Sequence, residues 1–255
     1  MKVDIIILSY CADDSIFQMN QRCISSLVDS EDDYEFNIIL MESNKAFDQS
    51  YETHGANLEI IIPQEDFNFN RFLNIGFKQC QSEFIAFCNN DIVFHNGWFS
   101  EIHKVSNSNK DILSFCPLDP TSKWTSIEEF KQQEYSIGYG IRREFVGWCY
   151  ILKREVFDII SEFDEQFSFY FQDDDFALTL RKFNIKHALI PHSQVEHTGA
   201  ESSTKVDGFG YNERANKDRV MFHNKWGSQR MIAMKNRICN LLRLLKLGGL
   251  SRYIY

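Results

Sequence analysis

One short polar cluster follows an apolar run in the first half of the chain. Asn89, Asn90 and Asp91 come directly after the run FIAFC. Hard divalent cations prefer oxygen ligands, and a bound diphosphate supplies some of them, so one carboxylate flanked by amides is enough for a metal site. The same residues are typical of a turn that ends a strand. By itself, the segment leaves both interpretations open.

A second cluster contains three consecutive acids, Asp173 to Asp175. Acids at the start of a helix complement the helix dipole, which accounts for one or two of them. The residues leading into the cluster are aromatic: Phe167, Phe169, Tyr170 and Phe171. Like charges crowded beside apolar walls raise one another's pKa, which is what a general base needs. This pattern favours a catalytic carboxylate, with Asp173 as the first choice and Asp175 as the second.

A third candidate is His197, which ends a strand-like stretch. A lone histidine is more often structural than a ligand. Imidazole is nevertheless a common ligand, together with carboxylate, for metals such as Mn²⁺.

The elements that position these residues alternate between strands and helices. Short β-branched runs predict buried strands, and amphipathic segments between them predict helices. The predicted strands are Val3–Leu8, Phe36–Met41, Leu58–Ile62 and Phe84–Cys88, and the predicted helices between them are Ser15–Val28 and Asn70–Gln79. This alternation indicates a parallel sheet with right-handed crossovers, in which ligands collect at the carboxyl ends of the strands.

The second half continues with a strand at Ile112–Cys116, a polar loop, an apolar run and two further helices. There is no repeat, low-complexity segment or Gly/Pro/Ser-rich linker, so a single α/β domain is expected. We assign residues 1–226 to it, with a nucleotide-binding half over about 1–116 and an acceptor half over about 117–226. Residues 227–255 form a basic amphipathic C-terminal helix.

In order and spacing, these segments resemble the inverting family-2 glycosyltransferases of the GT-A fold, above all bacterial rhamnosyl- and hexosyltransferases that build surface polysaccharides. The resemblance covers about residues 1 to 200. It rests on NND after a strand, a GWCY run, FDE followed eight residues after its Glu by the first Asp of QDDDF, and an isolated V-x-H ending at His197. It implies a GT-A-type domain with a mostly parallel central sheet and flanking helices.

The resemblance also implies which residues bind the donor. Ser9 and Tyr10 match the first-strand residues that border the nucleotide, and Glu42 matches the acid that hydrogen-bonds the base, with Asn44 in the following turn. A carboxylate at that place suggests a base with an imide N–H, hence UDP or dTDP. Asn74, in FLNIGF, matches the family's A-R-N-x-G helix, with Leu73 where Arg is usual.

The same resemblance makes Asn89, Asn90 and Asp91 the D-x-D motif, in which Asp91 binds a divalent metal, Mn²⁺ or Mg²⁺, and His197 completes the site. Asp173 matches the second residue of the family's Glu-Asp pair and is the expected base. Two departures matter: Asn89 replaces the first Asp of D-x-D, and Gln172 replaces the Glu. Selection of the sugar is expected on the loop Leu118–Arg143.

Charge is unevenly distributed along the chain. The net charge is −9, which argues against a nucleic-acid binder, because phosphate binding needs a basic face. The last acid is Asp218, and eight of the 27 Lys and Arg residues follow it, so residues 219–255 carry +8. Within them QRMIAMKNRICNLLRLLKL, from Gln229 to Leu247, interleaves apolar and basic residues at helical spacing, as do helices that lie on anionic membranes. Packing on the domain and a dimer contact remain alternatives.

The cysteines and the absence of targeting segments indicate a location. The seven cysteines are odd in number and contain no C-x-x-C, so free buried thiols in a reducing compartment are expected. Neither a signal peptide nor a spanning helix is recognisable. We expect a cytoplasmic protein, and the basic C-terminal helix would allow a peripheral position at the inner face of the cell membrane.

These observations lead to a functional hypothesis with two alternatives. The expected function is inverting transfer of a sugar from a nucleotide-diphosphate donor to a hydroxyl of a growing surface glycan or lipid-linked saccharide. A GT-A-fold binding or scaffold protein that has lost the chemistry is one alternative, favoured by the Asn89 and Gln172 departures. A nucleotidyltransferase is the other, although SYCADDS, after the first strand, lacks the Gly-rich basic loop that would hold a triphosphate.

Overall fold

The computed structural model describes residues 1–122, 127–130, 132–199 and 211–255. Its strands are β1 (Lys2–Ser9), β2 (Glu35–Glu42), β3 (Asn57–Ile61), β4 (Phe84–Asn89), β5 (Ile92–Phe94), β6 (Ile112–Leu118), β7 (Ser136–Ile137), β8 (Cys149–Lys153) and β9 (Lys186–His197). Its helices are α1 (Asp14–Val28), α2 (Phe69–Phe77), α3 (Trp98–Ser108), α4 (Ile127–Phe130), α5 (Val156–Ile160), α6 (Gln172–Lys182), α7 (Tyr211–Trp226) and α8 (Gln229–Leu244), followed by a 3₁₀ helix over Gly248–Tyr253.

The strands form one mixed sheet in the order β3-β2-β1-β4-β8-β6-β9-β5, with β7 paired to β9. The first half is parallel, since β1 pairs with β2 and β4, and β2 with β3, in the same direction. β8 enters antiparallel between β4 and β6, and β5 runs antiparallel to β9. The expected α/β domain with a central sheet and flanking helices is confirmed. The sheet was expected to be mostly parallel, and its second half is mixed.

Alternation along the buried strands builds a core on each face of the sheet. In β1, Val3, Ile5 and Ile7 pack on one side, and Ile6 and Leu8 on the other. Side chains of a strand point to opposite faces in turn, so a strand with apolar residues in both sets is buried on both sides. All seven cysteines are free and buried, as the sequence predicted.

The part of the chain after the sheet is more structured than the sequence indicated. α7 was not predicted, and it packs on α6 through a small cluster in which Phe222 and Trp226 contact Phe167 and Leu178. Gly227 adopts a left-handed conformation between α7 and α8, with φ of 92°. The expected helix from Gln229 is present and ends at Leu244. The domain boundary at residue 226 stays a prediction.

The segment expected as a polar loop contains two short elements, α4 and β7. Residues 123–126 and 131 of that segment lie outside the described residues. Within the described part of the chain, no helix combines the length and the apolar character needed to cross a bilayer.

Candidate active site

A chain of buried hydrogen bonds joins the carboxyl ends of β1, β2 and β4. Ser9 donates its hydroxyl to Glu42 Oε2 at 2.7 Å, and Asn20 Nδ2 donates to Ser9 Oγ at 2.8 Å. Asn90 Nδ2 in turn donates to Asn20 Oδ1 at 2.6 Å. All four side chains are buried. The network fixes the strand ends relative to each other, since a buried polar group costs stability unless it is hydrogen-bonded.

Glu42 is fully buried, and donors of the chain itself surround its carboxylate. Oε1 accepts from the backbone N–H of Cys11 at 3.1 Å and of Asn44 at 2.6 Å, while Oε2 accepts from Ser9. These bonds hold the loops that follow β1 and β2. Direct contact with a base stays a prediction. Tyr10, between the loops, is 43% exposed and therefore accessible to a ligand.

The Asn74 side chain connects α2 to the segment before α6. It is buried, its Nδ2 donates to the Phe163 carbonyl at 3.0 Å and to Glu165 Oε1 at 3.1 Å, and its Oδ1 accepts from the Phe163 N–H at 2.9 Å. Arg71, one turn earlier, donates Nε to Glu165 Oε2 at 2.8 Å. These bonds occupy the amide in the free protein and hold the segment before α6. Its assignment to donor binding stays a prediction.

Asp91 and His197 are brought together by the sheet. β5 pairs with β9 in the register Ile92↔His197, and Thr198 donates its N–H to the Asp91 carbonyl at 2.9 Å. As a result Asp91 Oδ1 and His197 Nε2 lie 3.2 Å apart. Both atoms are buried and make no hydrogen bond of acceptable geometry.

The His197 ring has a fixed orientation. It stacks on Trp148, with ring centroids 5.3 Å apart and an angle of 9° between the planes. Trp148 precedes β8, and its carbonyl accepts from the Asn89 N–H at 2.8 Å. The antiparallel entry of β8 next to β4 therefore places an aromatic ring beside the NND segment.

His197, Trp148 and Asp173 line one open cleft of about 810 Å³. Other lining residues are carboxylates (Asp119 and Asp174), arginines (Arg142 and Arg143), aromatic residues (Phe145, Phe169, Tyr170 and Phe171) and Gln172. A cleft that combines apolar and aromatic walls with converging polar groups is typical of a small-molecule site.

Asp173 approaches the backbone of the opposite wall very closely. A Cβ built on Gly147 would lie 2.2 Å from Cγ and both carboxylate oxygens of Asp173. Only a residue without a side chain fits at position 147 while the carboxylate is there. Asp173 lies in the first turn of α6, and the residue before that helix, Phe171, has a φ of 61°, which is unusual for an aromatic residue. Strain of this kind collects at functional sites.

The environment of Asp173 changes its acidity. Burial raises the pKa of Asp173 to about 6, the neighbouring Asp174 adds to the shift, and Arg142 opposes it. Burial also raises the pKa of Asp174, again against Arg142. A carboxylate with a raised pKa takes up a proton more readily near neutral pH, as a general base must.

Asp175 lies on another side of α6 from Asp173, so the geometry favours Asp173 as the base, and the assignment of Asp175 stays a prediction. It is 3% exposed, its Oδ1 accepts from Trp226 Nε1 at 2.7 Å, and Lys225 Nζ lies 2.7 Å from the same oxygen. It does not line the cleft. Helical geometry explains the difference, because each step along a helix turns the side chain by about 100°. Asp175 attaches α7 to α6.

Three residues of this arrangement were not found from the sequence. Asn20 sits in the apolar stripe of α1 between Ile16 and Ile24, and a polar residue in such a stripe was an available signal. Gly147 and Trp148 belong to the GWCY run, but the sequence did not indicate their roles, because these depend on contacts that β8 and α6 make in space.

The donor set at Asp91 and His197 fits a divalent cation. The carboxylate oxygen and the imidazole nitrogen are both buried, have no hydrogen-bond partner and lie next to each other. Divalent cations such as Mn²⁺ accept one oxygen and one nitrogen ligand of this kind. Among the described residues no group of three or more His, Cys, Asp or Glu side chains could hold a metal. A cation here would therefore take its remaining ligands from bound phosphate and water.

Comparisons with known proteins agree with this geometry. The family model described as Glycosyl transferase family 2 matches residues 4–181. No curated protein is significantly similar in sequence.

Two similar solved structures extend the comparison to three dimensions. The crystal structure of S. aureus TarS 1-349 has a TM-score of 0.59 at 13% identity, over 76% of this chain and 59% of that one. GalNAc-T7, crystallised with UDP, GalNAc and Mn²⁺, has a TM-score of 0.69 at 11% identity, over 93% of this chain and 50% of that one. At these identities the likeness concerns the fold, and the chain spans only half to three fifths of either structure.

Proposed function

The chain belongs to glycosyl transferase family 2, and on that premise we propose that it transfers one sugar from a UDP- or dTDP-sugar to a hydroxyl of a growing surface glycan, with inversion at the anomeric carbon. The class of reaction, glycosyl transfer, follows from the family and the fold. The donor, the acceptor and the residue roles are our proposal.

One observation supports the proposal above the others. His197, in contact with Asp91, lines the same cleft as Asp173, although the three residues come from the ends of different elements. Single displacement at a sugar needs a group that holds the leaving diphosphate and a base for the incoming hydroxyl. This arrangement supports assigning the first task to the Asp91 and His197 pair and the second to Asp173.

The residues of the chain would divide the work as follows. Asp173 accepts the proton of the acceptor hydroxyl at its carboxylate, which its contact with Gly147 holds in place. Trp148 orients the His197 ring and covers one face of it. A divalent cation bound by Asp91 and His197 would neutralise the negative charge that develops on the leaving diphosphate. Asn89 has an amide where the family has a carboxylate. The site therefore carries one negative charge fewer and binds a metal more weakly.

The nucleotide is proposed to lie over the joined ends of β1, β2 and β4. Ser9, Asn44 and Asn90 are fixed there by the buried network, and Tyr10 is exposed beside it. A rigid surface of this kind binds a ligand without a further ordering cost. The preference for a pyrimidine base rests on Glu42 through the family resemblance.

A donor screen followed by one substitution tests the proposal. UDP- and dTDP-sugars are incubated with the protein, with and without Mn²⁺, and release of the nucleoside diphosphate is measured without acceptor and with saccharide acceptors. With the active donor, Asp173→Asn should reduce turnover at least about a thousandfold while leaving the donor dissociation constant within about threefold, because it removes only the proton acceptor.

Asp174→Asn is the matched control, since it removes a neighbouring carboxylate of the same cleft and should keep more than about a tenth of the activity. Strong residual turnover in Asp173→Asn, or a greater loss in Asp174→Asn, would refute the assignment of the base. Binding of a donor without turnover under all conditions would favour the alternative of a binding protein that has kept the fold.

A further inference from the structure

The C-terminal helix α8 is attached to the domain along one face. Cys239 is fully buried, and Ile232 packs on the cluster that joins α7 to α6. Arg181 of α6 donates to the Asn236 carbonyl at 3.0 Å, and Arg243 Nε donates to Asn184 Oδ1 at 3.0 Å. These contacts fix the orientation of α8 relative to the helix that carries Asp173.

The opposite face of α8 is apolar and exposed. We call it the α8 stripe; it consists of Met231, Met234, Ile238, Leu241 and Leu245, with exposures of 47%, 56%, 38%, 57% and 59%. Their spacing of three and four residues places them in one row along the helix. The row is about 20 Å long. Leu247, Leu250 and Tyr253, in the segment that follows α8, are also exposed.

A contiguous apolar surface of this size needs an explanation, because single exposed apolar residues are normal on soluble proteins but rows of them mark interaction sites. Residues 231–253 hold nine of the sixteen exposed large apolar side chains in the described part of the chain. The domain covers the attached face of α8. The α8 stripe is therefore available for a partner outside this chain.

Charge identifies the kind of partner. Arg230 and Arg237 are exposed at one edge of the stripe, Lys246 follows its end, and no acidic residue occurs after Asp218. A second copy of α8 would bring the same cations against one another, which disfavours pairing. An apolar face bordered only by cations matches an anionic bilayer surface, into which the apolar side chains insert while the cations meet lipid phosphates.

We propose that the α8 stripe docks the protein on an anionic lipid bilayer, with α8 lying in the plane of the interface. Because α8 is held against α6, docking would keep the catalytic cleft at a fixed height above the lipid. That arrangement suits an acceptor whose saccharide is carried by a lipid. The docking itself does not depend on the chemistry in the cleft.

Vesicle sedimentation of the full chain tests this proposal. Vesicles of phosphatidylcholine are compared with vesicles that also contain phosphatidylglycerol. The protein should partition at least about tenfold more strongly onto the anionic vesicles, and high salt should weaken this binding, because part of it is electrostatic.

Two paired variants separate the stripe from charge in general. Ile238→Asp with Leu241→Asp places two carboxylates in the apolar row and should lower anionic-vesicle binding at least about tenfold. Gln229→Asp with Ala233→Asp adds the same charge at exposed positions of α8 outside the row and should lower it less than about threefold. Circular dichroism and thermal unfolding check that both variants fold like the parent.

Equal loss in both variants, or no preference for anionic vesicles by the parent, would overturn the proposal. A parent protein that is dimeric by light scattering and becomes monomeric in the Ile238 and Leu241 variant would identify a second copy as the partner and would also overturn it. Neither readout involves glycosyl transfer, so failure here is distinct from failure of the proposed function.

Discussion

Replacing Gly147 by alanine perturbs the proposed base without changing any ionisable group. The added Cβ would lie 2.2 Å from the carboxyl carbon and both oxygens of Asp173, where ordinary contact begins at 3.4 Å. The carboxylate must therefore withdraw by more than about 1 Å, because the new Cβ is bonded directly to the backbone of the loop before β8 and cannot rotate away. Gly147 does not itself react; it sets the position of Asp173.

The size of the effect follows from this displacement. A misplacement of about 1 Å at a reacting group costs on the order of a hundredfold in rate, which corresponds to about 2.7 kcal/mol of activation free energy. We therefore expect Gly147→Ala to lower kcat about a hundredfold. The KM for the donor should change less than about threefold, because the residues proposed to bind the nucleotide lie at other strand ends.

The assay is steady-state release of nucleoside diphosphate with saturating acceptor. Gly249→Ala is the control, since a Cβ there meets no atom within 4 Å. The pH profile gives a second readout: a carboxylate moved away from Gly147 should titrate at a different pH, which a merely less stable protein would not show. A Gly147→Ala variant with kcat within about threefold of the parent and an unchanged pH profile would refute the positioning role.

Four further predictions concern the cleft and its supports. Because the pKa of Asp173 is raised to about 6, the base is protonated below that pH, and kcat should fall about tenfold per pH unit below 6 and reach a plateau above it. Asp174→Asn should move this midpoint to lower pH, since it removes a neighbouring negative charge. Asn20→Ala removes the centre of the buried network and should lower the free energy of unfolding by about 2 kcal/mol in urea titrations. Asp175→Asn breaks the pair with Lys225 and should cost about 2 kcal/mol of stability, while kcat stays within about threefold.

The controls for these predictions use the same elements. Gln18→Ala lies on the exposed face of α1 and should change the unfolding free energy by less than about 0.5 kcal/mol. A flat rate profile between pH 5 and 8 would contradict the role of Asp173. Loss of activity in Asp175→Asn without loss of stability would favour Asp175 over Asp173 as the base.

The sequence was informative where chemistry and periodicity coincide. The apolar runs that became β1, β2 and β4 predicted the strands, and the polar residues after them predicted which edge of the sheet would carry a site. The resemblance to family 2 is confirmed by the matching family model, and the fold by the two solved structures. The roles of Asp91, His197 and Asp173 stay predictions, with a geometry that supports them.

Other features depended on contacts between distant segments. Asn74 carries the family pattern, yet its amide is used by residues 163–165. Asp173 and Asp175 are equivalent in sequence, but the turn of α6 directs one to the cleft and the other to Lys225.

The linear order of residues therefore determined the strands, the edge of the sheet that carries the polar clusters and the family, because hydrophobic periodicity and side-chain chemistry are local properties. The tertiary structure decided which residues each of the candidate side chains contacts. It seated Asp173 against Gly147, set His197 beside Asp91 and left the α8 stripe uncovered, because β8 enters antiparallel and α8 packs on α6 through one face only. Those outcomes arise from the packing of segments far apart in the chain, and no local pattern encodes them.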